Sequence, residues 1–167
     1  ELLAGRRRDE CRRPGGCFHF IEHLPFYGMA VLCIDDANVR SLMPLITRPV
    51  TTYGLADGAQ IRTVDVEAAA GKMRFRVVRR IGFNGHAQAA PDLRITLNLP
   101  GVHNVQNALA AIAVGMEIGA PDAAIVKALA EFRGVGRRFQ RYGDVVLRRG
   151  GSFTLIDDYG HHPVEMA

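Results

Sequence analysis

With 167 residues, 48% of them hydrophobic, and a formal charge of +4, the chain has the makeup of about one globular domain with a buried core. No segment approaches the roughly eighteen uninterrupted apolar residues of a membrane-spanning helix, so no membrane insertion is expected; nor does an apolar run follow the early arginines as in a secretory signal. Cys11, Cys17 and Cys33 are irregularly spaced and read as reduced thiols of a cytoplasmic protein rather than a disulfide framework.

Half of the net charge comes from residues 1–17, where Arg6, Arg7, Arg8, Arg12 and Arg13 outnumber Glu1, Asp9 and Glu10. Lacking interleaved aromatics, the run is a poor nucleic-acid surface, and no nucleic-acid partner is expected. The same stretch, ELLAGRRRDECRRPGGC, has no periodicity and is expected to be disordered. Cys17, His19 and His23 have no second pair at metal-site spacing, so no metal ligands are assigned. The chain opens on Glu1 and closes on Glu165-Met166-Ala167 just past a motif, and we expect a piece of a longer protein.

From Phe18 a short helix is expected to end at Leu24-Pro25. Met29–Ile34, MAVLCI, is a continuous apolar run of the kind found in a strand buried on both faces. Asp36 suits the N-cap of a helix that carries Val39, Leu42, Met43 and Ile46 on one face, and Pro44 should cut that helix short. Pro49–Tyr53 reads as a second strand. Strand, helix and strand in so few residues make a βαβ unit, hence a parallel sheet.

The middle of the chain alternates instead. Met73, Phe75 and Val77 alternate with Arg74 and Arg76; Leu93, Ile95, Leu97 and Leu99 alternate with Arg94, Thr96 and Asn98. These are half-buried strands with a wet face, joined around the hairpin dipeptide Asn84-Gly85. The arginines read as a solvated face. A helix follows with Val105, Ala108, Leu109, Ile112, Ala113 and Met116 at core spacing, stopped by Gly119. Pro121 then begins another, with Asp122 in its first turn and Ile125, Ala128, Leu129 and Phe132 inward. Val145–Leu147 and Phe153–Ile156 flank Gly150-Gly151 as a last hairpin. The fold class is α/β: a parallel-core sheet with flanking helices and an appended antiparallel section.

Three clusters carry chemistry. In LPGVHNVQNALAA, residues 99–111, a strand turns at Pro-Gly into a helix, and Asn104 and Asn107 stand one helical turn apart. A carboxamide offers a donor beside an acceptor, which matches the amino and ring-nitrogen edge of adenine. Taken alone, Asn104 as a helix cap and Asn107 as a solvated residue is the commoner arrangement. In the second cluster, Gly134-Val135-Gly136-Arg137-Arg138-Phe139, glycines allow close backbone approach and an arginine offers a fork for phosphate oxygens. In the third, Asp157-Asp158-Tyr159-Gly160-His161-His162-Pro163, Asp158 at a strand end suits ribose hydroxyls and the histidines suit an acidic substrate.

Together and in this order, LPGVHNVQNALAA, FRGVGRRFQ and LIDDYGHHP resemble the Mur ligases of peptidoglycan synthesis. LPFYG at 24–28 and YGHHP at 159–163 resemble the branch that adds alanine. The resemblance implies that residues 18–156 are part of a central ATP-binding domain, that 157–167 lead through a hinge into a C-terminal ligase domain, and that 1–17 fall outside the match. It also implies that Asn104 and Asn107 lie at adenine, Arg138 at phosphate, Asp158 at ribose or the hinge, and His161 and His162 near the substrate. The substrates implied are ATP, UDP-N-acetylmuramate and L-alanine, with Mg2+ held by residues upstream of this stretch. ATP would convert the lactyl carboxylate to an acyl phosphate, which the amine of alanine displaces. The lysine-bearing glycine loop of such enzymes is absent from the sequence, so the chain by itself is expected to lack ligase activity. Open alternatives are a folylpolyglutamate synthase-like ligase, a non-catalytic adenine-nucleotide module without the phosphate loop, and a nucleic-acid binder using residues 6–13.

Overall fold

The computed structural model describes residues 16–83, 86–136 and 140–159. The disorder expected of 1–17 lies outside these residues, except that helix α1 (Gly16–Glu22) begins within that stretch. The chain divides into two compact units after Glu131.

In the first unit the βαβ expectation holds. Strand β1 (Ala30–Cys33) pairs in parallel with β2 (Val50–Gly54), from Ala30↔Val50 to Cys33↔Tyr53. Between them, helix α2 (Ala37–Leu42) is capped by Asp36, whose carboxylate accepts the Asn38 and Val39 N–H groups at 2.7 and 3.2 Å. Pro44 ends it in a 3-10 turn, Met43–Leu45. The expected double burial of β1 does not hold: only Ala30 is buried, and Val31, Leu32 and Cys33 are half-buried. Among the described residues β1 stands at the end of the strand order, with a neighbour on one side only.

Strand β3 (Ile61–Ala69) also runs parallel to β2, although only six residues connect them. Parallel neighbours ordinarily need a crossover of a dozen residues or more. The short link suffices because just two pairs overlap, Tyr53↔Ile61 and Gly54↔Arg62, and β3 then runs on past the carboxyl end of β2. Strands β4 (Lys72–Phe83) and β5 (His86–Leu97) complete an antiparallel meander, giving the order β1-β2-β3-β4-β5. Their pairing reaches Phe83↔His86 and so brackets Asn84-Gly85, which lie outside the described residues. Pro91 sits where β5 carries an extra residue between Ala90 and Leu93, at a bulge on an edge strand, where a missing N–H is tolerated.

The turn from β3 to β4 escaped the sequence reading. Ala69 pairs with Lys72 across Ala70 and Gly71, with φ values of 50° and 75°. Positive φ at both central residues is the signature of a type I′ hairpin, which favours Asn-Gly. Alanine at φ 50° bears left-handed strain of about 1–2 kcal/mol. Ala70→Asn is therefore expected to raise stability by about 0.5–1 kcal/mol, read as a higher urea midpoint with unchanged slope.

The core lies on one face of the sheet. Met73, Phe75, Val77, Leu93, Ile95, Leu97 and Ile61 meet Val105, Ala108, Leu109, Ile112 and Ala113 of helix α3 (Val102–Glu117), with Ile125 and Leu129 of α4 (Asp122–Glu131) beside them. Fully burying a leucine or isoleucine is worth roughly 1.5–3 kcal/mol, so this seam holds α3 in place. Gly119, at φ 74°, ends α3: its N–H donates to Met116 O at 3.0 Å and Ala120 N–H to Gly115 O at 2.8 Å. Two expectations for α4 are corrected. Ala128 is exposed, and Phe132 is 42% exposed because the helix has ended at Glu131. On the opposite face of the sheet Arg74 and Arg94 are exposed, and Arg76 pairs with Asp65 at 2.8 Å and Asp92 at 2.7 Å. One cation breaks the apolar row: Arg79, 3% exposed, grips both oxygens of Asp122 at 2.7 Å and donates to the Pro91 carbonyl.

The second unit is a hairpin of β6 (Gln140–Val146) and β7 (Ser152–Asp157), turning through Gly150-Gly151 at positive φ. Val145 pairs with Phe153, and with Leu155 these side chains stay well exposed.

Candidate functional site

Helix α3 opens at Gly101, with φ 96° and no side-chain cap. Asn104 is not the cap. Its carboxamide turns back and donates to Pro100 O at 2.6 Å, and the side chain is half-buried. Asn107, one turn on, is exposed, and among the described residues its carboxamide has no hydrogen-bond partner. The helix start thus presents one amide tied to the preceding loop and one amide open.

Between them, Gln106 points the other way. Its Nε2 donates to Asp35 Oδ2 at 2.8 Å. Asp35 follows β1, and its carboxylate also accepts Leu55 N–H at 2.9 and 3.0 Å and Ala56 N–H at 3.0 Å, both just past the end of β2. One carboxylate therefore gathers the carboxyl ends of both parallel strands and the start of α3. Burial alone would raise the Asp35 pKa, but the Gln106 bond and then the Leu55 and Ala56 N–H groups outweigh it and hold it below the ordinary value. Gly54 makes room: a Cβ there would stand 2.5 Å from Asp35 Oδ1, and its φ is 150°. Beside this hub, burial raises the thiol pKa of Cys33 and the phenol pKa of Tyr53.

Sequence reasoning passed over Asp35, Gly54 and Gln106. The available signal was an acid directly after an apolar strand, at the carboxyl end of a predicted parallel strand. Of the remaining candidates, Asp158 lies one residue beyond β7, exposed, in the second unit. Arg138, His161 and His162 lie outside the described residues. Among the described residues no group of three or more His, Cys, Asp or Glu could hold a metal ion, and no helix is long and apolar enough to cross a membrane.

An open α/β sheet takes its ligand outside the carboxyl ends of its parallel strands, and this helix start lies at that rim. A sequence profile described as the Mur ligase middle domain matches residues 17–115. The UDP-N-acetylmuramate–L-alanine ligase of Ralstonia pickettii is 61% identical over 160 residues, which is 95% of this chain and 32% of that protein. That match reaches into residues 1–17, beyond the start of the sequence resemblance. Among solved structures, a UDP-N-acetylmuramate–alanine ligase from Thermotoga maritima shares 30% identity and a TM-score of 0.59, over 83% of this chain and 28% of that one. A MurF from Acinetobacter baumannii, at 22% identity, reaches a TM-score of 0.68 over 93% and 30% of the two chains. The Thermotoga maritima MurF ligase, solved with ADP, aligns at 20% identity and TM-score 0.62 over 89% and 31%; at such identity both MurF matches speak for the fold. The chain belongs to the Mur ligase family. It spans about a third of the length of the curated relatives it matches.

Proposed function

We propose that this chain is the adenine-binding part of an ATP-dependent ligase that joins L-alanine to the lactyl carboxylate of UDP-N-acetylmuramate in cytoplasmic peptidoglycan synthesis. The observation that carries the reading is the open carboxamide of Asn107 beside the tied one of Asn104, at a helix start over the ends of two parallel strands. Asn107 takes the adenine edge with a paired donor and acceptor, and Asn104 orients the approach. Asp158 is assigned to ribose hydroxyls, Arg138 to phosphate, and His161 and His162 to the acidic substrate, roles that rest on likeness to the family's motifs. ATP supplies the phosphoryl group that activates the carboxylate. No step is assigned to magnesium, whose ligands the resemblance to the family puts upstream of this stretch.

The test is titration of the 15N-labelled chain with ADP, following side-chain amide signals by NMR. The Asn107 carboxamide is expected to shift in a saturable way, and Asn107→Leu to weaken binding by about tenfold or more, the worth of a bidentate base contact. Together with UDP-N-acetylmuramate and alanine, the chain alone is expected not to turn over ATP. An Asn107 signal indifferent to millimolar ADP would end the proposal.

A further inference from the structure

We infer that Asp35, acting through Gln106, is a positioning group that fixes the first turn of α3 against the strand ends and so aims the Asn104–Asn107 face; this inference rests on the adenine reading above. Successive helix residues turn by roughly 100°, so Asn104 and Asn107 lie within about 60° of each other while Gln106 stands well round the helix from both. A bond that fixes Gln106 on the strand side therefore fixes where the two amides face. The buried side chains from Val105 to Ala113 hold the body of α3 on the sheet, but its first turn has little else polar to fix it: Gly101 provides no cap, and Asn104 reaches only to Pro100, four residues back in its own chain.

The other end of the tie is rigid. Asp35 is held by two backbone N–H groups at 2.9–3.0 Å, and Gly54 leaves the space its carboxylate fills. Among the described residues no cation pairs with the Asp35 carboxylate (Arg40 donates to its backbone carbonyl, at 3.0 Å), and the carboxylate accepts from neutral donors just past β2 and on α3. A residue serving only to join strand to loop has no need of Gln106. The reach from the sheet rim to the amide-bearing helix is what a positioning role requires.

The discriminating variants are Gln106→Ala and Gln106→Lys. Alanine is a strong helix former and leaves Asp35 its two backbone donors, so the chain stays folded. Lysine restores a donor that can reach the carboxylate. With all chains folded at low temperature, Gln106→Ala is expected to weaken ADP binding by about tenfold, the loss of one charge-assisted hydrogen bond, and Gln106→Lys to recover most of that affinity. A tie that only stabilises would lower the thermal midpoint of Gln106→Ala and leave ADP affinity of the folded chain unchanged, and that result overturns the inference. If instead the unsubstituted chain gives no Asn107 response to ADP, the adenine reading falls first and the positioning role falls with it.

Discussion

Gly54→Val is expected to destabilise the first unit by about 3 kcal/mol, equivalent to one or two hydrogen bonds to a charged group, and to lower the thermal midpoint by about 10 °C. The cause is local. A Cβ at position 54 would lie 2.5 Å from Asp35 Oδ1, 2.8 Å from its Cγ and 2.9 Å from Oδ2, so the whole carboxylate must move. Moving it breaks the bonds to Leu55 and Ala56 and strips Gln106 of its acceptor. The backbone adds strain, since a φ of 150° is rarely adopted by a residue with a side chain. Asp35→Gly empties the same space, so the valine should cost much less in that background, with a coupling of about 2 kcal/mol between the two sites. Chemical denaturation of the four chains measures this directly. Additive losses would show that the collision with Asp35 is not what makes glycine necessary.

The second large effect is at Asp122. Arg79 is 3% exposed on the core face of β4, and both its terminal nitrogens are taken by the Asp122 carboxylate at 2.7 Å. Removing one partner of a buried pair costs about 3–5 kcal/mol because the other charge is left uncompensated. Asp122 is itself 47% exposed, and Arg79 keeps the Pro91 carbonyl, so Asp122→Ala should fall at the lower end, about 3 kcal/mol. Arg79→Met removes the stranded charge along with the pair and should cost less. In that background Asp122→Ala should cost little more than its place in the first turn of α4 is worth. The pair also has a pH signature. The Arg79 guanidinium lowers the Asp122 pKa, partly offset by burial. A folded-state pKa below the unfolded one means that the stabilisation is fully present above about pH 4 and lost as pH falls through the depressed value. The difference in stability between the parent chain and Asp122→Ala should accordingly be flat at neutral pH and shrink in acid. A difference that persists unchanged at low pH would show that the charge on Asp122 is not its source.

Where one local cause dominated, the sequence was readable. The Asp36 cap, the shortening of α2 at Pro44, the parallel β1–β2 pair and the inward rows of β4, β5 and α3 all follow from periodicity and from residues with few conformations. The readings that failed depended on what surrounds an element. MAVLCI has the pattern of a strand buried on both faces, but among the described residues it has a strand on one side only, and three of the four residues of β1 are half-buried. Phe132 continues the spacing of α4 but lies past its end. The strained Ala70-Gly71 turn lacks the Asn that would have announced it.

The candidate site divides along the same line. Asn104 and Asn107 were legible because three residues of helix bring them together whatever the rest of the chain does. Arg138, Asp158, His161 and His162 were legible as motifs, and the roles proposed for them rest on those motifs alone. Asp35 and Gln106 are 71 residues apart in sequence, and no local pattern joins them. The sequence by itself determined which residues form helices and strands and which carry amide, acidic and basic chemistry, because those are properties of short windows. Only the tertiary structure decided that one carboxylate fastens two strand ends to the helix start, because a hydrogen bond depends on distance in space and Asp35 meets Gln106 only once α3 packs across β1 and β2.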